Sequence, residues 1–179
     1  MGVNSRWMVL PLCFVLITAC QTVQTRPSAR GPRSAVETWA PFEQDGLWGF
    51  KSGDGQTVIP ARFRTVTEFT RHGLAAALDG QGWVLVNSKG EEVIRPYMFD
   101  NGPDYFVDGL ARFVRDGKFG FFDERGRVVI QPQFDFAYPF RQGKARVGWG
   151  CTLIQDGEHQ KILGGQWKEI DKTGRVLSD

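Results

Sequence analysis

Catalysis and metal chemistry have little to work with in this sequence. It holds two histidines and three cysteines, and it contains no Gly-x-Ser-x-Gly, no Gly-Lys-Ser/Thr phosphate loop, no Cys-x-x-Cys and no His-Glu-x-x-His. Cys151 and His159 lack the paired spacing of a tetrahedral centre, so no metal site is expected. Neither sign of charge is in excess: 22 Lys and Arg face 20 Asp and Glu, and no basic stripe is interleaved with aromatics, which excludes nucleic acid as a partner. Disorder throughout is excluded too, because 41% hydrophobic and 13% aromatic content is enough for a globular core.

Long apolar runs are also scarce. Met8 to Ile17 is an apolar stretch of about ten residues behind Arg6, too short to span a bilayer and suited to a secretory signal. It ends in Ile17-Thr18-Ala19-Cys20, which resembles the lipobox of bacterial lipoproteins. That resemblance implies removal of residues 1–19, acylation of Cys20 and attachment to a lipid bilayer through several acyl chains, since one chain binds only marginally. Gln21 rather than Asp after the lipidated cysteine implies an outer-membrane anchor facing the periplasm of a Gram-negative cell. Residues 20–38, with Arg26, Arg30, Arg33 and several Pro, Ser and Thr, read as a solvated linker, and 39–179 as the folded domain. Once Cys13 is removed and Cys20 is acylated, Cys151 has no intrachain disulfide partner.

What the chain has in quantity is repetition. Gly55, Gly90, Gly126 and Gly174 share their surroundings: seven residues before them stand Trp48, Trp83, Phe119 and Trp167, three before stand Ser52, Asn87, Asp123 and Asp171, and three after stand Val58, Val93, Val129 and Leu177. A second block recurs in Phe69, Phe106 and Phe140, each a few residues before Gly73, Gly109 and Gly143. The stretch Leu110–Phe140 contains one complete unit. Asp116-Gly117 between apolar runs suits a type I′ hairpin, and Asp123 to Gly126 suits a type I turn closed by a left-handed glycine. The unit is therefore an antiparallel three-strand meander, too thin to bury both its faces without stacking on a neighbour.

Trp48-Gly49-Phe50, Val58 to Pro60, Val129 to Asp135 and Phe140 to Ala145 resemble the bacterial WG β-repeat over roughly Asp45 to Leu177. The resemblance implies an all-β fold of tandem meanders, three full units and a partial fourth, and it implies no reaction. An open or curved array is expected rather than a closed ring. Phe119 replaces Trp, and Val84 and Lys168 replace the Gly that follows the aromatic, so units two and four are expected to deviate. Gly49 and Gly120 are expected to leave gaps that receive side chains from an adjacent unit. Trp48, Trp83, Phe119 and Trp167 are expected to form a core stack.

The interval between turn glycines is 35, then 36, then 48. The extra residues fall between Val147 and Gln166, with Trp149, Cys151, Asp156, Glu158 and His159. They form either a binding loop or a hairpin lengthened to turn at Asp156-Gly157. Tyr97, Tyr105, Tyr138, Trp149 and His159 are the candidate interaction residues, in irregular connections that suit a protein or cell-wall glycan. Asp100, Asp104 and Asp108 read as a solvated turn or a weak Ca²⁺ cluster, and His72 as an exposed loop residue. The function expected is a lipid-anchored, non-catalytic interaction module of the cell envelope that needs no cofactor. The alternative is an envelope hydrolase or thiol enzyme centred on residues 147–166.

Overall fold

Turn chemistry decides where the strands begin and end. In the computed structural model, which describes Met1, Gly2 and residues 39–157 and 159–178, strands and turns make up the described residues. The signal segment, Cys20 and the rest of the linker through residue 38 lie outside them. Strands β1 (Ala40–Gln44) and β2 (Leu47–Lys51) are joined by Asp45-Gly46, with φ of 55° and 77°, and β3 (Thr57–Phe63) completes the first sheet. The second sheet is β4 (Thr65–Val66), β5 (Leu74–Asp79), β6 (Gly82–Asn87) and β7 (Glu92–Ile94). A small hairpin follows, β8 (Met98–Phe99) and β9 (Gly102–Pro103). The third sheet is β10 (Leu110–Arg115), β11 (Lys118–Asp123) and β12 (Val128–Phe134), and the fourth is β13 (Phe136–Ala137), β14 (Lys144–Asp156) and β15 (His159–Asp171).

All pairings within these sheets are antiparallel, and the four sheets follow one another in chain order without closing into a barrel. Asp116-Gly117 takes the type I′ conformation, with φ of 52° and 72°. The four repeated glycines have φ of 84°, 77°, 77° and 86°. Their N–H groups donate to the carbonyls of Ser52, Asn87, Asp123 and Asp171 at 2.8–2.9 Å. In the last three turns the side-chain Oδ1 of Asn87, Asp123 and Asp171 accepts two further backbone N–H groups each.

The third strand of one unit runs on, past a kink, to become the outer strand of the next sheet. β3 continues into β4, which pairs with β5, and β12 continues into β13, which pairs with β14. After β7 the chain makes the same contact with only Pro96 bridging Phe113 and Tyr97 N–H donating to Arg112 O at 2.9 Å.

The glycine after the repeated aromatic explains that difference. A Cβ on Gly49 would lie 2.3 Å from Ile59 O, and one on Gly120 would lie 2.6 Å from Ile130 O. Both glycines therefore admit the backbone of the third strand of their own unit, and Gly120 also receives the Phe113 ring of its own sheet, 2.7 Å from such a Cβ, rather than side chains of a neighbouring unit as the sequence suggested. Where Val84 supplies a Cβ, β7 stops at Ile94 after three residues. Where Lys168 does so, the third strand is reduced to a bridge between Ile170 and Val176.

Three apolar layers separate the four sheets. The first holds Phe50, Ile59, Phe63, Ala75, Ala77, Val84 and Val86. The second holds Leu74, Ala76, Leu85, Ile94, Ala111, Phe113 and Phe122. The third and largest includes Phe119, Phe121, Ile130, Phe134, Phe140, Val147 and Ile170. Period-2 alternation divides β5, β6, β10 and β11 between two layers each. Phe50 meets Phe69 at 4.6 Å and Phe121 meets Phe140 at 4.7 Å, the same contact two units apart.

The four in-register aromatics do not all enter these layers. Phe119 is buried, between the rings of Tyr97 and Phe136 at 5.0 Å each. Trp48, Trp83 and Trp167 are half-buried at the margins. Indole carries an N–H that needs an acceptor, and Trp83 and Trp167 find theirs in the carbonyls of Asn101 and Gly164 at 3.1 and 3.0 Å. The 147–166 insertion is a lengthening of the β14–β15 hairpin, paired from Lys144–Asp171 out to Asp156–His159.

Candidate interaction surface

The connection between the second and third sheets places aromatic side chains on the surface. Asp100 and Asn101, with φ of 48° and 63°, turn the β8–β9 hairpin tightly, and Phe99 before it and Tyr105 after it meet edge to face at 6.4 Å. Met98 and Tyr105 are each 61% exposed and Phe99 47%.

Beneath them lies a buried ion pair. Arg112, on β10, donates from Nε and Nη2 to the two carboxylate oxygens of Asp104 at 2.9 and 2.6 Å, and its backbone N–H donates to Asp104 at 2.8 Å. Its Nη1 reaches Ala137 O on β13 at 3.0 Å, and its guanidinium lies 4.9 Å from the Tyr97 ring and 5.5 Å from that of Phe99. Every guanidinium contact is thus directional, and one residue ties the hairpin, the third sheet and the fourth sheet together. Asp104 is fully engaged by Arg112, and Asp108 accepts Gly143 N–H at 2.8 Å, so the acidic loop is built of internal contacts. Among the described residues no group of three or more His, Cys, Asp or Glu is placed to hold a metal ion.

A second exposed group follows the buried Ala137 on the fourth sheet. Tyr138, 41% exposed, packs 5.8 Å from Trp167, and Arg146 lies 4.8 Å over the Trp167 ring. Phe99 and Tyr105 on one side and Tyr138, Trp167 and Arg146 on the other are joined underneath by Arg112, which reaches the Phe99 ring and Ala137 O, and the two groups together form an aromatic belt. Tyr and Trp have few rotatable bonds and lose little side-chain freedom on contact, and with Arg they are enriched at interfaces.

The sequence candidates are distributed over different environments. Tyr105 and Tyr138 lie on the belt. Tyr97 packs against the third apolar layer beneath it. Trp149 is in strand β14, half-buried with its ring 5.2 Å from Phe134, rather than in an irregular connection. His159 opens β15 opposite Asp156, and its side chain lies outside the described residues, as does all of Glu158. Phe99, Arg112 and Arg146 were not foreseen. The Asp-Asn pair after Phe99 was the available signal, because both residues tolerate positive φ in a two-residue hairpin turn.

Cys151 is buried, and burial, followed by the nearby Asp135 charge, pushes its thiol above the ordinary range. That is the reverse of what activates a cysteine nucleophile. His72 is not a free loop residue: its Nε2 lies 2.9 Å from Glu124, which Arg71 also contacts at 3.1 Å. Hydrogen bonds from Arg71 and then His72 hold the Glu124 carboxyl below its usual range.

The sequence profile of the WG containing repeat matches three consecutive stretches, residues 48–83, 85–119 and 119–148, more than half of the chain. The chain belongs to the WG containing repeat family. No curated protein and no solved structure matches it. The matched WG repeats begin at Trp48 and end at Gly148, so the belt straddles the second and third repeats and the long hairpin that follows.

Proposed function

We propose that this WG-repeat chain is a non-catalytic interaction module, held in the cell envelope by lipid on Cys20, that binds an envelope protein through its aromatic belt. The observation that carries this reading is the exposure of Phe99, Tyr105 and Tyr138 on a surface fixed from below by the Arg112–Asp104 pair. Exposed apolar patches of this kind on a rigid scaffold mark contact sites. The stacked repeats supply the scaffold, and the lipobox-like segment Ile17 to Cys20 supplies the address. Gln21 in place of Asp supports an outer-membrane, periplasm-facing anchor in a Gram-negative cell.

The test is cross-linked capture from whole cells with the anchored chain, a Cys20→Ser form and a Tyr105→Ala/Tyr138→Ala form. The expected outcome is an envelope protein captured by the anchored chain and lost from the double variant, whose fold is checked by circular dichroism. Incorporation of labelled palmitate into the parent and not into Cys20→Ser tests the anchor. The same partner captured undiminished by the double variant would sink the belt reading.

A further inference from the structure

We propose that the cleft beside Trp149 is a carbohydrate-binding subsite, which seats one uncharged pyranose on the indole with Gln166 hydrogen-bonding to its hydroxyls. The site shares no lining residue with the belt, although Gln166 directly precedes Trp167.

The cleft, about 540 Å³, is lined by Trp149, Gly150, Gly165 and Gln166, where the β14–β15 hairpin emerges from the third apolar layer. Trp149 and Gln166 are cross-strand partners, which places the indole and the planar amide side by side on one face. The Phe134 ring lies near-perpendicular to the indole, at 74°, and the indole is half-buried, packed on the third apolar layer on one side and lining the cleft on another.

A local irregularity keeps the cleft open. The ladder passes from Trp149–Gln166 to Cys151–Gly164, so Gly150 and Gly165 are left outside the regular pairing, with φ of 66° and 87°. A Cβ on Gly165 would lie 2.7 Å from the Cys151 Cβ and 3.0 Å from Trp149 O. Glycine is thus required there, and neither glycine has a side chain to cover the indole.

Electrostatics select the ligand class. None of the four lining residues carries a charge, and Asp135, whose second oxygen accepts the Gly150 N–H, is itself paired with Lys118. The lining therefore offers no charged side chain to a phosphate, a carboxylate or an ammonium group. It offers an apolar platform and an amide that both donates and accepts. A pyranose matches this pairing, with an apolar C–H face and a rim of hydroxyls, and the open cleft leaves room for one.

Isothermal titration of the full-length chain in detergent with three neutral probes, an N-acetylglucosamine trimer, cellotriose and maltotriose, tests the assignment. At least one should bind saturably. Gln166→Ala should weaken that binding about threefold to tenfold with an unchanged melting temperature. Trp149→Ala should abolish it, and Trp149→Phe, which keeps a ring against Phe134, should weaken it with the fold preserved. Tyr105→Ala/Tyr138→Ala should leave it unaltered. The proposal fails if no probe titrates, if Gln166→Ala and Trp149→Phe both bind like the parent, or if only the belt variant loses binding.

Discussion

At the scale of single residues, the turn glycines do two jobs that can be separated. All four have positive φ, which costs a side chain about 1–2 kcal/mol. Three of them also touch the preceding unit. A Cβ on Gly90 would lie 3.2 Å from Ile59, one on Gly174 3.2 Å from Ile130, and one on Gly126 2.4 Å from Val93 and 3.3 Å from Leu74. Gly55, in the first unit, would meet nothing within 4 Å. Gly55→Ala should therefore cost about 1 kcal/mol and Gly126→Ala about 2–4 kcal/mol, because overpacking adds to the backbone term. Urea unfolding of the two variants checks this, and equal losses would mean that the turn glycines do not pack between units. The glycines were legible in the sequence because φ preference is local. Their contacts with the preceding unit were not, since nothing in the spacing says which atoms lie across the layer. The Arg112–Asp104 pair escaped for the same reason: eight residues apart across an irregular hairpin, the two have no strand or helix period to relate them.

At the scale of elements, the β14–β15 hairpin depends on one carboxylate at its base. Asp135 sits at the kink between β12 and β13 and binds Lys118 Nζ and the Gly150 N–H. The Lys118 hydrogen bond first, and then that of Gly150, hold its carboxyl below the ordinary range. A carboxyl with a depressed folded value stabilises fully above its unfolded value, about pH 4, and loses that contribution as pH falls through the folded value. The hairpin base should therefore loosen in acid, and Asp135→Asn should be less stable than the parent at neutral pH with the difference shrinking below about pH 4. Thermal unfolding of both forms as a function of pH measures it, and a constant difference down to strongly acid pH would remove Asp135 from this role. The length of the hairpin was legible as the 48-residue interval, while its turn lies one residue beyond the expected Asp156-Gly157, because Asp156 still pairs with His159. Its paired, strand-like character was one of two readings, because an insertion between repeat glycines is compatible with either a loop or longer strands. The Trp149 cleft was out of reach, since it arises from two glycines, 150 and 165, that meet only once the register is fixed.

At the scale of the whole folded unit, the run-through strands make each sheet dependent on its neighbour. β4, Pro96–Tyr97 and β13 are contributed to a sheet by the unit before it, and the apolar layers lie between sheets rather than within them. Stability in such an array is close to a sum of nearest-neighbour interfaces. The second and third sheets each contact two layers. The first sheet contacts only the first layer, which among the described residues holds seven buried side chains against twelve in the third. Burial of about 25 cal/mol per Å² of apolar surface makes the first interface the weaker of the two. Opening should therefore begin at β1 and β2 and at the outer end of the β14–β15 hairpin, while β10 and β11, held from both faces, open last. Native-state hydrogen exchange resolves this order. The amides of Phe42 and Phe50 should exchange through an opening of lower free energy than those of Phe113 and Phe121, and added urea should bring the first group to exchange well before the second. If all four amides exchanged through one opening of the same free energy, the array would be a single cooperative block, and the interfaces between sheets would be as strong at its beginning as at its centre.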